Sequence, residues 1–117
     1  MKYIMVTGAY GGMGRKTVEL LQKQGFCVIA VDKTIDAAEN HVIPLQVDIT
    51  DAKSVNRAFE KVKTITDELY AIVHFAGIYL LDSLVEIESD HFAHAFKVNL
   101  FGAFLINKTF LPLLKNG

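Results

Sequence analysis

The sequence predicts an α/β fold built on a doubly wound parallel sheet. Short apolar runs alternate with segments of helical periodicity, which is the pattern of parallel strands joined by crossover helices. A glycine-rich stretch, TGAYGGMG at residues 7–14, directly follows the first apolar run. The run at residues 70–75 is almost wholly apolar, as expected for a strand that is buried on both faces of such a sheet.

Length and composition favour one globular domain over residues 1–117. Hydrophobic residues make up 51% of the chain and charged residues 21%, so a core of ordinary proportions can form. The net charge is −1 without a basic stripe, which argues against nucleic-acid binding. No apolar run approaches the ~20 residues that span a bilayer and no signal-peptide pattern is present, so we expect no membrane association and a cytoplasmic protein. The single cysteine, Cys27, lies in an apolar run and is expected to be a buried thiol.

The remaining strands follow from short apolar runs and their breakers. We predict the first three strands at residues 3–6, 26–31 and 42–47. Pro44 cannot donate a hydrogen bond to a central ladder, so the third strand is expected at a sheet edge. The connection between the second and third strands is barely long enough for a crossover, and any helix in residues 35–39 should be short. With right-handed crossovers, these features predict the strand order 3-2-1-4.

Three amphipathic segments predict helices. They run from Gly12 to about Gln24, from Asp51 to about Thr66, and from Ser89 to about Lys115. Apolar residues at helical spacing predict their inner faces: Met13, Thr17, Leu20 and Leu21 in the first; Val55, Phe59, Val62 and Thr66 in the second; Phe92, Phe96, Ala103 and Phe110 in the third. Either Thr50 or Asp51 is available as the N-cap of the second helix.

The glycine-rich stretch lies between a buried strand and the start of a helix. Backbone amides and the helix dipole attract anions at such a place, and glycine lets the backbone reach a pyrophosphate without a Cβ clash. A tight turn alone needs one or two glycines, whereas this stretch has four. We therefore expect a phosphate-binding loop. The glycine spacing fits neither Gly-x-Gly-x-x-Gly nor a P-loop.

The spacing that does fit is Thr7-Gly8-x-x-x-Gly12-x-Gly14. With it the sequence resembles the short-chain dehydrogenase/reductase family, whose cofactor loop reads Thr-Gly-x-x-x-Gly-x-Gly. The resemblance implies a Rossmann-type sheet, of which four strands are present, and a nicotinamide cofactor. The cofactor-binding positions that it implies in the loop are Gly8, Tyr10, Gly12, Met13 and Gly14.

Two acidic positions agree with this resemblance. Asp32 closes the second strand, about twenty residues past the loop, where a carboxylate accepts hydrogen bonds from the adenosine ribose. Asp48 and Ile49 follow the third strand, and in the family such an aspartate contacts the adenine amino group. Both aspartates could instead cap the segments that follow them.

Two further matches lie after the fourth strand. Ala76 and Gly77 correspond to the end of the family's Asn-Asn-Ala-Gly motif. The resemblance implies that this pair of small residues lets the cofactor pass over the end of the strand. His74 and Phe75 stand where the two asparagines are usual, and His74 is expected to be a core histidine with satisfied ring nitrogens. Asn99 corresponds to a member of the family's Asn-Ser-Tyr-Lys catalytic set and is expected to be buried.

A metal site is not expected. His91 and His94 lie near Glu86, Glu88 and Asp90 but lack the spacing of a zinc hydrolase. A solvated first helical turn, with acidic residues near the positive end of the dipole, accounts for them better.

The resemblance implies an oxidoreductase that transfers a hydride between a nicotinamide cofactor and a small alcohol or carbonyl substrate. NAD is expected over NADP, because Asp32 would repel a 2′-phosphate and Gly11 stands where NADP-preferring relatives often carry a basic residue. Lys33 tempers this preference. The resemblance also implies a homo-oligomer.

We expect residues 1–117 to be the cofactor-binding part of a longer enzyme, because the family's catalytic Ser and Tyr-x-x-x-Lys motif are absent from them. The sheet edge beside residues 70–75 should then pair with another chain or segment. The alternative is a non-catalytic dinucleotide-binding or protein-interaction module.

Overall fold

A single parallel sheet organises the chain, and the computed structural model describes residues 1–114 of it. Within these residues the strands are β1 (Tyr3–Thr7), β2 (Cys27–Asp32), β3 (Val42–Gln46) and β4 (Ala71–His74). Their order is β3-β2-β1-β4 and every neighbouring pair is parallel. The predicted α/β fold and strand order are therefore confirmed, with the proline-containing strand at one edge.

The helices follow the predicted segments, with one change in the last of them. They are α1 (Gly12–Lys23), α2 (Ala52–Lys63), α3 (Ser89–Phe96), a π-helical segment (Lys97–Gly102), α4 (Ala103–Phe110) and a 3₁₀ turn (Leu111–Leu113). The predicted third helix is thus interrupted by a π-helical stretch, and its predicted end at Lys115 lies outside the described residues. The described residues 35–39 form no helix, and Glu39 instead makes an antiparallel bridge with Val42.

The sheet is covered on both faces. Alternation along β1 sends Ile4 and Val6 to one face, beneath α1, and Met5 to the other, beneath α2 and α4. Val55 and Val62 of α2 are fully buried, as predicted. The helix ends at Lys63, so Thr66 lies beyond it. Asp51 is the N-cap of α2, where its side chain accepts a hydrogen bond from the Lys53 amide.

The predicted inner face of α1 is only partly right, because Leu21 packs against the core but Met13 and Leu20 do not. Gly14 and Val18 are buried, whereas Met13 is 64% exposed and Leu20 is 56% exposed. Gly14 lies directly against the carbonyl oxygen of Gly8, and this contact sets the rotation of the helix. One residue corresponds to about 100° of rotation, so Met13 is turned towards solvent.

The predicted inner positions Phe92 and Phe96 are also wrong, because both are more than half exposed. Helix α4 packs against α2, and its Phe110 is fully buried, as predicted. Helix α3, by contrast, makes its main contacts with the π-helical segment that follows it. Phe92 and Phe96 are therefore left largely open to solvent within the described part of the chain, whereas Ala95 of the same helix is buried.

Strand β4 was predicted to be buried on both faces, and each of its residues is half-buried instead. The cause is its place in the sheet, because β4 is the last strand on its side in the described residues. Cys27 is a buried free thiol, as predicted, and burial raises its pKa. Among residues 1–114 there is no helix of the length and apolar character that crossing a membrane requires.

We expect the 117-residue chain to self-associate in solution. Leu81, Leu84 and Val85 are each more than 90% exposed, and the outer edge of β4 has no partner strand in the described residues. Exposed apolar surface and an unpaired strand edge both favour association. Sedimentation measured over a range of concentrations should show species heavier than the 13.0 kDa monomer. A monomer that unfolds cooperatively at all concentrations would contradict this expectation, and Leu84→Ser should weaken the association.

Candidate functional site

The carboxyl ends of the four strands bring most of the predicted site residues to one edge of the sheet. Two cavities open there, and their walls share residues of the glycine loop and of the segment after β4. The first, of about 250 Å³, is lined by Asp32 and Ile49 among others, and we call it the Asp32 cavity. The second, of about 380 Å³, is lined by Gly12, Met13 and Asn99 and is called the glycine cavity. Ligands of open α/β sheets bind at this edge.

The glycines of the loop differ in what an added Cβ would contact. Gly8 has φ +65°, and a Cβ there would lie 2.5 Å from the Ala76 nitrogen. A Cβ on Gly14 would collide with the Gly8 carbonyl oxygen. At Gly12, however, no described atom beyond its chain neighbours and the backbone of its own helix lies within 4 Å of the Cβ position. Packing within the protein therefore explains Gly8 and Gly14, whereas Gly12 leaves open space beside the glycine cavity.

The start of α1 presents backbone donors to this cavity. In the described structure its N-cap, Gly11, makes no side-chain hydrogen bond to the first turn, and that turn contains no acidic residue. The first amides of a helix carry partial positive charge and lack partners within the helix. This arrangement suits an anion, which agrees with the predicted phosphate-binding loop.

Asp32 is half-buried at the end of β2, and both of its carboxylate oxygens are held by backbone amides. The Tyr10 N–H donates to Oδ2 at 3.0 Å, and the Lys33 N–H donates to Oδ1 at 2.7 Å. Each carboxylate oxygen can accept more than one hydrogen bond. The carboxylate is thus fixed in place in the wall of the Asp32 cavity and retains acceptor capacity.

Asp48 organises the turn before α2 rather than lining either cavity. Its Oδ1 accepts the Thr50 hydroxyl at 2.7 Å and the Thr50 amide at 3.0 Å, and these bonds lower the pKa of the Asp48 carboxyl. The neighbouring Ile49 does reach the Asp32 cavity, and its side chain packs beside Gly102. A Cβ on Gly102 would lie 2.6 Å from Ile49 Cδ1, so a side chain there would displace the end of the Ile49 side chain.

The end of β4 is fastened to β1 by Thr7, a fully buried residue. The Phe75 amide donates to the Thr7 carbonyl at 2.9 Å, and the Ala76 amide donates to Thr7 Oγ1 at 3.3 Å. His74 Nδ1 lies 3.4 Å from the same hydroxyl, and its Nε2 lies 2.8 Å from Asn107 Oδ1. Both ring nitrogens of His74 thus have partners, as predicted, although the ring is half-buried.

Asn99 was expected to be buried, and the structure shows it exposed. Its side chain makes a two-way contact with the backbone of Ile78: Nδ2 donates to the Ile78 carbonyl at 2.9 Å, and Oδ1 accepts the Ile78 amide at 2.8 Å. These bonds satisfy the amide without burial. Gly77 makes room for the contact, because a Cβ there would lie 2.9 Å from Asn99 Oδ1.

The side chain of Tyr10 lies on the other side of the glycine loop. Its ring is stacked on the guanidinium of Arg15 at 5.3 Å and lines a separate outer cavity of about 270 Å³. Burial raises the pKa of the Tyr10 phenol. Tyr10 therefore reaches the Asp32 cavity through its backbone amide, by way of the Asp32 carboxylate, and not through its ring.

Sequence reasoning missed three participants of this site. Ile78 lines both cavities, Thr7 holds the end of β4, and Arg15 contacts Tyr10. The Thr-Gly pair that opens the loop motif was an available signal for Thr7, whereas the sequence offers none for the other two. Within residues 1–114 no group of three or more His, Cys, Asp or Glu side chains is arranged to hold a metal ion.

Solved structures share this fold. The chain is similar to a short chain dehydrogenase family protein from Francisella tularensis, with a TM-score of 0.88 and 24% identity over 100% of this chain and 48% of that one. It is also similar to a short chain dehydrogenase from Leptospira borgpetersenii with bound NAD⁺, with a TM-score of 0.85 and 25% identity over 92% of this chain and 44% of that one.

Curated relatives lead to the same family. The chain is 26% identical to an NAD-dependent glycerol dehydrogenase of Listeria innocua, over 90% of this chain and 44% of that protein. It is 35% identical to estradiol 17-beta-dehydrogenase 2 of Mus musculus, over 97% of this chain and 33% of that protein. The chain thus spans less than half the length of these relatives. The family model described as short chain dehydrogenase matches residues 2–117, and the chain therefore belongs to the short-chain dehydrogenase family.

Proposed function

We propose that residues 1–117 form the NAD-binding part of an oxidoreductase that acts on a small alcohol or carbonyl substrate. The observation that carries the proposal is the Asp32 carboxylate, which two backbone amides hold in the wall of the Asp32 cavity. A carboxylate at the end of the second strand suits the hydroxyls of an adenosine ribose. The family's catalytic Ser, Tyr and Lys are proposed to lie outside these residues.

The open space beside Gly12 and the uncapped start of α1 fit the pyrophosphate of a dinucleotide. Ile49 and Val98 offer apolar walls in the Asp32 cavity for an adenine ring. The amides of Gly12 and Met13 are proposed to bind phosphate oxygens, and the small pair Ala76 and Gly77 to leave the cofactor room at the end of β4.

When bound, NAD supplies the centre that accepts or donates the hydride. Asn99 is the proposed catalytic-set member of this chain, and it holds the Ile78 backbone beside the glycine cavity. The partners that we propose are a small alcohol or carbonyl compound and further copies of the same protein. The relatives from Listeria and Leptospira, one NAD-dependent by name and one with bound NAD⁺, support the choice of cofactor.

The cofactor preference is tested by titrating NAD⁺ and NADP⁺ into the protein. We expect NAD⁺ to bind at least about tenfold more tightly, because a carboxylate next to a 2′-phosphate costs more than the ~1.4 kcal/mol that a factor of ten requires. In Asp32→Ala the preference should fall to near unity. The matched control is Asp67→Ala, which removes an exposed carboxylate outside the Asp32 and glycine cavities. Tighter binding of NADP⁺ by the unaltered protein would refute the assignment.

A further inference from the structure

We propose that Arg15 is a positioning residue: it joins the two loops that hold Asp32 and thereby supports the preference for NAD⁺ over NADP⁺. This selectivity role rests on the proposed function. The structural part of the proposal concerns the order of the Asp32 carboxylate in the protein alone.

The contacts of Arg15 run to both loops. Its Nε donates to the Tyr10 carbonyl at 3.0 Å, and its guanidinium lies over the Tyr10 ring. Its Nη1 donates to Asp36 Oδ2 at 2.8 Å. Tyr10 belongs to the glycine loop, and Asp36 belongs to the connection that follows β2. One guanidinium therefore links the start of α1 to both segments.

Asp32 takes its two backbone hydrogen bonds from the same two segments. The Tyr10 amide comes from the glycine loop, and the Lys33 amide comes from the connection after β2. If the glycine loop moved away from the end of β2, the Tyr10 bond to Asp32 would break, whereas the Lys33 bond joins neighbouring residues and would move with Asp32. Arg15 opposes that movement, so it acts on the carboxylate through the backbone of its neighbours.

Both segments need such a link. Tyr10 is followed by Gly11 and Gly12, and glycine gives the backbone more conformational freedom than any other residue. The connection after β2 contains no helix in its described residues 35–39. In the described structure the backbone pairing of this connection is confined to its far end, at Glu39 and His41, and the Arg15–Asp36 contact lies ahead of it.

Two observations separate this role from its alternatives. The Arg15–Asp36 pair is about half exposed, and exposed ion pairs contribute little to the free energy of unfolding. General stabilisation is therefore a poor account of the contact. Arg15 also lines the outer cavity and not the Asp32 or glycine cavity, so we expect it to act without touching a bound nucleotide.

The first test needs no nucleotide. In Arg15→Met, hydrogen exchange of the Tyr10 amide is expected to be about fivefold faster than in the unaltered chain, because a hydrogen bond that holds its residue has been lost. The thermal midpoint should hardly change. The control is Lys23→Met, which removes the Lys23–Glu19 ion pair of the same helix and should leave the Tyr10 amide unaffected. An unchanged Tyr10 exchange rate in Arg15→Met overturns the proposal.

The second test compares the two nucleotides. In Arg15→Met we expect NAD⁺ to bind several-fold more weakly and NADP⁺ to bind as before, so the ratio of the two affinities falls. Equal weakening of both would show direct contact with the shared phosphates and would overturn the positioning role. If the unaltered protein binds neither nucleotide, the proposed function fails and the selectivity role fails with it. Hydrogen exchange then still decides whether Arg15 orders Asp32.

Discussion

Replacing Gly14 by alanine is expected to destabilise the fold severely, whereas the same change at Gly12 should leave it intact. The Cβ added at position 14 would run into the backbone of Gly8, and neither α1 nor the loop can move without disturbing the other. Overpacking against backbone costs about 3 kcal/mol or more of unfolding free energy. At Gly12 the Cβ meets open space, and alanine even favours a helix by roughly 0.5–1 kcal/mol.

Urea unfolding of the two variants measures this contrast. Gly12→Ala serves as the matched control for stability, and it carries a second expectation: nucleotide binding should weaken, because the methyl group occupies space beside the glycine cavity. If Gly14→Ala unfolds at the same urea concentration as the unaltered chain, the contact with the Gly8 carbonyl does not constrain α1. If Gly12→Ala binds nucleotide normally, the proposed phosphate site is wrong.

The 117-residue chain by itself is expected to show no measurable dehydrogenase turnover. Asn99 is a neutral amide that cannot exchange a proton with an alcohol, and no Tyr-x-x-x-Lys pattern occurs in these residues. General acid/base catalysis contributes about 10²–10⁴-fold, and loss of substrate and ribose positioning lowers the rate further. Incubation of the purified chain with NAD⁺ and a panel of alcohols, followed by absorbance, should reveal no NADH.

The same purified chain should still bind NAD⁺, and a binding measurement therefore serves as the control that the protein is folded. NADH formation that grows with protein concentration would contradict the expectation. A longer reading frame that also lacks Tyr-x-x-x-Lys would favour the alternative function, a dinucleotide-binding or interaction module without catalysis.

Local chemistry made much of this fold predictable. Pro44 predicted that β3 lies at an edge, because a residue without an N–H cannot donate a hydrogen bond to a neighbouring strand on that side. The spacing of Gly8, Gly12 and Gly14 located the strand-to-helix turn. Asp32 was identifiable because the apolar run of β2 ends directly before it, which places its carboxylate at the end of the strand.

The errors share one physical cause, which is that periodicity describes a helix without its neighbours. The rotation of α1 depends on the contact between Gly14 and the Gly8 carbonyl, which no hydrophobic pattern encodes. Phe92 and Phe96 have ideal spacing for an inner face, but both stay more than half exposed in the described structure. The exposure of Asn99 likewise depends on the Ile78 backbone, a partner far away in sequence.

The two edges of the sheet differ in whether they can accept a new strand. On β3, the outward amide and carbonyl of Val42 are already bonded to Glu39, and Pro44 has no N–H to offer. An added strand would need the Val42 amide, the Val42 carbonyl and a Pro44 amide, and these groups are occupied or missing. Growth of the sheet is therefore directional: β3 acts as a terminus over this stretch, and an additional strand, from whatever polypeptide, is expected to enter beside β4.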